Sequence, residues 1–182
     1  DHVHLPVQSG STKVLRAMQR TYSRDEYLGK IEMMRHAKRP IAITTDIIVG
    51  FPGETEADFE ETLSLLDEVQ YDGLFSFKYS PRPNTPSLAM NDPILEEEKS
   101  RRLAILQEKQ REIQAARNTA LIGQTFEVLV GGKSRRENQW SGYTTSHRVL
   151  NFASQAKELL GTYVQVRVTG AGPNSLVGEH AV

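Results

Sequence analysis

Cysteine is absent from the 182 residues, which excludes disulfides and thiolate metal sites from this stretch of chain. No apolar run approaches the roughly 20 residues that cross a bilayer, and the first residues lack the order of a signal peptide. Neither sign of charge dominates, since 22 basic and 23 acidic side chains leave a formal net charge of −1. Up to residue 123 acidic groups outnumber basic ones, and from 124 onward the balance reverses, which is compatible with an RNA partner for the tail. Internal repeats and low-complexity tracts are missing as well. What remains, 38% hydrophobic and 25% charged residues, fits a soluble globular chain with one sizeable core or two small ones. Asp1 stands where a Met would open a gene product and a strand begins at once, as expected of the remainder of a longer protein.

Residues 2–7 alternate, with Val3, Leu5 and Val7 on one side and His2, His4 and Pro6 on the other. The polar "QSGS" turn follows, and then a short helical face of Val14, Leu15 and Met18. "SRDE" at Ser23–Glu26 has the form of a capping box opening a second helix. "IAITTDIIVG" is a β-branched run bounded by Pro40 and Gly50, the signature of a buried parallel strand. Thr55 can cap the next helix, which carries Phe59, Leu63, Leu66 and Val69 on one stripe. "LFSFKYS" is the third strand and leads into "PRPNTPS". Strands alternating with helices imply a parallel sheet or barrel with right-handed crossovers.

A long helix is expected from about Leu95 to Ile122, acidic in its first turn and closed by Gly123. Its packing stripe is Leu103, Leu106, Ile113 and Leu121. Beyond it lie short strands and turns, a small all-β domain of OB-like size. The expected division is 1–122 for the α/β part and 123–182 for the β part.

Each of the first three strands has one apolar and one polar face. With helices outside a parallel barrel, the apolar sets should meet the helices: Val3/Leu5/Val7, Ile43/Ile47/Val49 and Phe75/Phe77/Tyr79. The polar sets, including Gln8, Asp46 and Lys78, should point inward. A carboxylate so placed must be partnered, and Asp46 either pairs with a cation such as Lys78 or serves a ligand. "GFPGET" is either a plain strand-to-helix turn or an anion site at a helix N-terminus. His2 and His4 read as polar fillers of the interior.

"HLPVQSGSTKVLRAMQRTYSRDEY", "TTDIIVGFPGETEADFEET" and "FKYSPRPNTPS" together resemble the C-terminal half of the radical S-adenosylmethionine (SAM) barrel of tRNA methylthiotransferases. The tail resembles their TRAM domain. The resemblance covers essentially the whole chain, and "YSPRPNTPS" with "SGYTTSHRVLNF" is similar to the MiaB type, which acts on isopentenylated adenosine beside the tRNA anticodon. The implied fold is a partial parallel (β/α) radical SAM barrel followed by a small OB-like TRAM barrel. By resemblance, Gln8 and Asp46 approach the ribose of SAM and Arg20 its methionyl carboxylate. Ser9 belongs to the same pocket, and the turn from Val49 and Gly50 onward passes the adenine. An amide and a carboxylate suit a vicinal diol, and a guanidinium suits a carboxylate. Apart from the resemblance, Gln8, Ser9 and Ser11 read as a helix cap and Arg20 as a solvated helix-end cation.

The family also carries two 4Fe-4S clusters, whose cysteine ligands lie outside this chain. Cluster ligation needs thiolates, so the fragment alone is expected to be inactive, and the remaining partner is the N-terminal part of the same protein. An open strand edge near His2 is expected to be covered, by a second copy through self-association or by other chain. In the tail, Arg135, Arg136 and Arg148 are candidate contacts to a tRNA anticodon stem-loop. Trp140, Tyr143, His147 and Phe152 around them are either base-stacking groups or core. The MiaB-type pattern usually has Arg where Tyr143 stands and Asn where His147 stands, which detracts from an RNA role at those two positions. The implied setting is cytoplasmic, with no membrane. Alternatives are a non-catalytic RNA-binding module with the barrel remnant as scaffold, a relative of the ribosomal-protein methylthiotransferases, or a phosphate-handling barrel of another class.

Overall fold

Strands β1 (His2–His4), β2 (Ala42–Val49) and β3 (Gly73–Lys78) form a sheet in that order. They alternate with helices α1 (Thr12–Ala17), α2 (Arg24–Arg35) and α3 (Glu56–Val69), and α4 (Glu96–Thr119) follows. The computed structural model describes residues 1–91, 93–134 and 139–181. Internal contacts divide it into Val3–Ile113 and a second unit of Gln114–Val182 with Asp1–His2.

In the first unit, β2 and β3 are parallel, with Asp46 opposite Phe75 and Ile48 opposite Phe77. α2 begins at Ser23 with a reciprocal capping box to Glu26, and α3 begins at Thr55 with another to Asp58. Both boxes satisfy amide groups that a helix start leaves unpaired. One face of the sheet, through Ile43, Ile47 and Val49, packs with Tyr27, Phe59 and Leu66 of the helices, and Leu106 and Ile113 of α4 join the same core.

Three strand expectations need correction. The first strand does not run continuously to residue 7. Pro6 has no N–H to give, and backbone pairing lapses between Leu5, whose N–H donates to Thr44 O at 2.8 Å, and Gln8. Hydroxyls fill the gap: Thr45 Oγ1 accepts from Val7 N–H and donates to the Leu5 carbonyl, both at 2.9 Å, and Tyr27 donates to Leu5 O at 2.9 Å. Tyr22 donates to Val7 O at 3.1 Å and to Pro6 O at 3.2 Å. Gln8 then rejoins β2 as an isolated parallel bridge to Ile47.

The second correction concerns β3, whose apolar side is turned opposite to expectation. Residues paired across a ladder share a face, so Phe75 and Phe77 lie on the Asp46 side and are 58% and 53% exposed. α4 covers the other side, where Gln107 bonds Ser76 and Lys78 bonds Glu96 and Ser100. Thirdly, Lys78 is therefore not the partner of Asp46.

α4 stops at Thr119 rather than at residue 122. Leu121 and Ile122 close tight turns onto the carbonyls of Asn118 and Thr119, and Gly123, at φ +90°, donates to Val168 at 2.8 Å.

The second unit is a closed barrel of β4 (Thr125–Lys133), β5 (Gln139–Thr144), β6 (Val149–Ala153), β8 (Leu176–His180) and β7 (Tyr163–Ala171), paired in that order. Strict alternation along β4 and β7 sends Val128, Val130, Val164, Val166 and Val168 inward. Trp140 and Phe152 face each other across β5 and β6 and are core residues. Among the described residues no helix is long and apolar enough to cross a membrane.

Candidate functional site

The carboxyl ends of parallel strands leave a crevice where loops diverge, the usual place for a ligand in such sheets. Here it is a cleft of about 710 Å³ with Gln8, Arg20 and Asp46 on its wall. Ile48, Phe77 and Tyr79 contribute its apolar lining.

Gln8 has φ +77°, a left-handed conformation that a side chain rarely adopts. Two backbone bonds enforce it: Gln8 N–H donates to Asp46 O at 2.8 Å and Gln8 O accepts from Ile48 N–H at 2.9 Å. Arg20 is placed by the end of α1. Gln19 takes φ +58°, Gln19 N–H donates to Arg16 O, and Arg20 N–H reaches back to Leu15 O, both at 2.9 Å. That is a Schellman closure with glutamine in the usual glycine position, and it sets Arg20 at the negative end of the helix dipole.

Asp46 keeps a partly exposed carboxylate. His4 Nε2 lies 3.4 Å from its Oδ1, while His4 Nδ1 contacts Thr44 Oγ1 at 2.9 Å. The imidazole also meets Phe75 edge-on at 5.9 Å. His4, and not Lys78, is thus the neighbour of Asp46. The aromatic wall is fixed by Phe51 and Tyr79, edge to face at 5.1 Å and packed with Val14, Met18 and Ile48.

Ser9, Val49 and Gly50 do not line the cleft. Ser9 is fully buried with its Oγ 3.4 Å from Thr62 of α3, and Gly10 N–H donates to the same hydroxyl at 2.9 Å. A Cβ on Gly10 would lie 2.5 Å from backbone atoms of α3, so the turn after Gln8 docks on that helix through a residue with no side chain. Ser11 precedes α1 without capping it and donates instead to Asp58 at 2.7 Å. Val49 is buried in the core. Gly50, at φ +72°, donates to Glu54 Oε2 at 2.7 Å and packs on the Lys99 side chain.

Two buried carboxylates that the sequence pattern did not single out hold the "GFPGET" turn. Asp58 accepts from Lys13 (2.6 Å), Thr55 Oγ1 (2.6 Å) and Ser11 (2.7 Å). Burial alone would raise its carboxyl, but these bonds outweigh it and hold the group well below the usual carboxylate range. Glu54, 4% exposed, takes Arg102 of α4 at 2.7 Å, and Arg102 is itself 6% exposed. Among the described residues Glu54 Oε1 is buried without a partner. Burial pushes the Glu54 carboxyl up, against the pull of Arg102 and of the Gly50 amide.

In the barrel unit, Arg148 is engaged in structure. Its Nη1 donates to Asn118 Oδ1 at 2.5 Å, and its N–H donates to Thr144 Oγ1 at 3.1 Å across the β5–β6 turn. Tyr143 is exposed and stacks on His147 at 5.1 Å. Arg135 and Arg136 lie outside the described residues.

Residues 1–66 match the Radical SAM superfamily and residues 119–180 match the TRAM domain. The chain is 64% identical over 184 residues to the tRNA-2-methylthio-N(6)-dimethylallyladenosine synthase of Solibacter usitatus. It is 59% identical over 182 residues to the enzyme of that name from Koribacter versatilis and 48% identical over 181 to that from Geobacter metallireducens. These alignments cover 98–100% of this chain and 41% of each relative, so the chain spans about two fifths of their length.

Proposed function

From a chain that joins a radical SAM segment to a TRAM domain, we propose the C-terminal part of a tRNA-2-methylthio-N6-dimethylallyladenosine synthase. The parent enzyme inserts sulfur and adds a methyl group at C2 of N6-isopentenyladenosine beside the anticodon. One observation carries this reading: Gln8, Asp46 and Arg20 converge on one cleft at the carboxyl ends of the strands.

The donor set fits SAM. The Gln8 amide and the Asp46 carboxylate suit ribose hydroxyls, and the Arg20 guanidinium suits the methionyl carboxylate. The apolar wall of Ile48, Phe51 and Tyr79 suits an adenine face. When bound, SAM supplies a radical source and a methyl group. This chain's residues bind and orient it and exclude water around it. With no cysteine, the chain offers no thiolate for an iron–sulfur cluster, and the cluster sites belong to the N-terminal part of the parent. The fragment alone is then inactive.

The TRAM domain holds the anticodon stem-loop, with Arg135, Arg136 and Arg148 as candidate contacts, in a cytoplasmic enzyme. The sheet edges at β1 and β3 are where other chain of the parent, or a second copy of the fragment, pairs. Calorimetry with SAM and with 5′-deoxyadenosine tests the cleft. Arg20→Gln should weaken SAM and spare the deoxynucleoside, whereas Asp46→Ala should weaken both. Equal effects of both variants on both ligands would overturn the assignment.

A further inference from the structure

The cleft has a second anion-binding group to which the ligand above gives no role. Arg82 lies on its wall beside Thr85 and Ser87, in the loop that follows β3. Its backbone is restrained by the proline that follows it and through its own carbonyl. Pro81 precedes it, Pro83 confines it to extended conformations, and Thr85 Oγ1 donates to its carbonyl at 2.7 Å. The loop is tied to the aromatic wall by Tyr79, whose hydroxyl donates to Ser87 O at 3.2 Å, and the Thr85 and Ser87 hydroxyls meet at 3.0 Å. Among the described residues the exposed Arg82 guanidinium makes no hydrogen bond or ion pair.

Charge on the wall does not balance for a ligand with one carboxylate. Lys78 is committed to Glu96, which leaves Arg20 and Arg82 facing Asp46 alone. Arg20 accounts for one anionic group, and the Arg82 guanidinium, carried on a restrained backbone and without a partner among the described residues, accounts for another. A cation presented from an ordered backbone loses less freedom on binding than one on a flexible loop, and arginine matches phosphate oxygens through two parallel bonds.

We propose that Arg82 grips a backbone phosphate of the RNA strand carrying the target nucleotide and holds that strand at the mouth of the cleft. This rests on the tRNA reading above. The test is fluorescence anisotropy of an anticodon stem-loop RNA with the 182-residue chain across a potassium chloride series, with SAM calorimetry in parallel. Arg82→Gln should weaken RNA binding roughly three- to tenfold at low salt and reduce the log–log salt slope by about 0.7, the value for one phosphate on a single strand. Arg82→Lys should restore most of the slope, and SAM affinity should stay unchanged in both variants. RNA binding by Arg82→Gln with the wild-type affinity and slope overturns the proposal, as does a loss confined to SAM. A wild-type chain that binds no RNA overturns the tRNA reading and this inference together.

Discussion

The backbone N–H of Gln8 donates to the carbonyl of Asp46 at 2.8 Å, and with the Ile48 N–H to Gln8 O bond this pairing sets the Gln8 and Asp46 side chains side by side on the cleft wall. The left-handed φ of Gln8 is the conformational cost of that placement. Gln8→Gly should therefore leave thermal stability unchanged or higher, because glycine adopts this φ freely. SAM affinity should nonetheless fall about tenfold with loss of the amide, the scale of one hydrogen bond. A scanning-calorimetry midpoint well below wild type would show that the Gln8 side chain holds the fold rather than a ligand.

Gly50 is needed for both its φ and its space. Gly50→Ala must take φ +72° and place a Cβ 2.5 Å from Lys99 Cγ. A loss of about 1–3 kcal/mol is expected in urea unfolding, together with movement of the Phe51–Tyr79 wall visible in near-ultraviolet circular dichroism.

The Glu54–Arg102 pair should behave as a buried ion pair with one unsatisfied oxygen. Arg102→Met strands the carboxylate and should cost about 3–5 kcal/mol at neutral pH. Burial already raises this carboxyl in the folded state, so the penalty shrinks as pH falls through the folded-state value. Glu54→Gln combined with Arg102→Met should recover most of the loss, and urea titrations at neutral and mildly acidic pH check both statements.

Asp58 has the opposite sign. Its folded-state carboxyl lies below the ordinary value of 3.8, so its contribution is complete above that value and disappears as pH falls below it. Asp58→Ala, which also strips the bonds to Ser11 and Thr55, should cost about 2–3 kcal/mol at neutral pH. The variant should lose part of the acid sensitivity of wild type when thermal midpoints are followed from neutral to acidic pH.

In the barrel, Gly142 and Gly178 sit where strands cross closely. A Cβ on Gly178 would meet Arg167 O at 2.5 Å, and one on Gly142 would strike Leu129 O. Gly142→Val and Gly178→Val should each prevent closure of β4–β8, read as loss of the dispersed amide signals of Gln114–Val182 in a nitrogen–proton spectrum.

Much of this architecture was legible because its signals are local. The Ser23–Glu26 box, the β-branched run of β2 and the alternation of β4 and β7 each declare themselves within a few residues. The orientation of β3 was not legible. Alternation shows that Phe75 and Phe77 share a side, but the side is set by the register with β2 and by the polar contacts of Ser76 and Lys78 to α4. Pro6 was visible, whereas the hydroxyls that compensate for it come from distant positions. Glu54 and Arg102 escaped notice because isolated charges in polar stretches read as solvated, and only the fold brings them together. For the cleft, Gln8, Asp46 and Arg20 came from resemblance and share one wall, while Ser9 serves the docking of a turn on α3.

The hydroxyl repair around Pro6 has an evolutionary corollary. One imino acid beside the cleft ties together Tyr22, Tyr27 and Thr45, none of which lines the cleft wall. Phenylalanine at Tyr22 would preserve shape yet strip the Pro6 and Val7 carbonyls of their donor. Valine at Thr45 would strip the Val7 amide of its acceptor, and phenylalanine at Tyr27 would leave Leu5 O to the Thr45 hydroxyl alone. Sequence drift there is therefore constrained by a neighbour's missing hydrogen, and the four positions should change together or not at all.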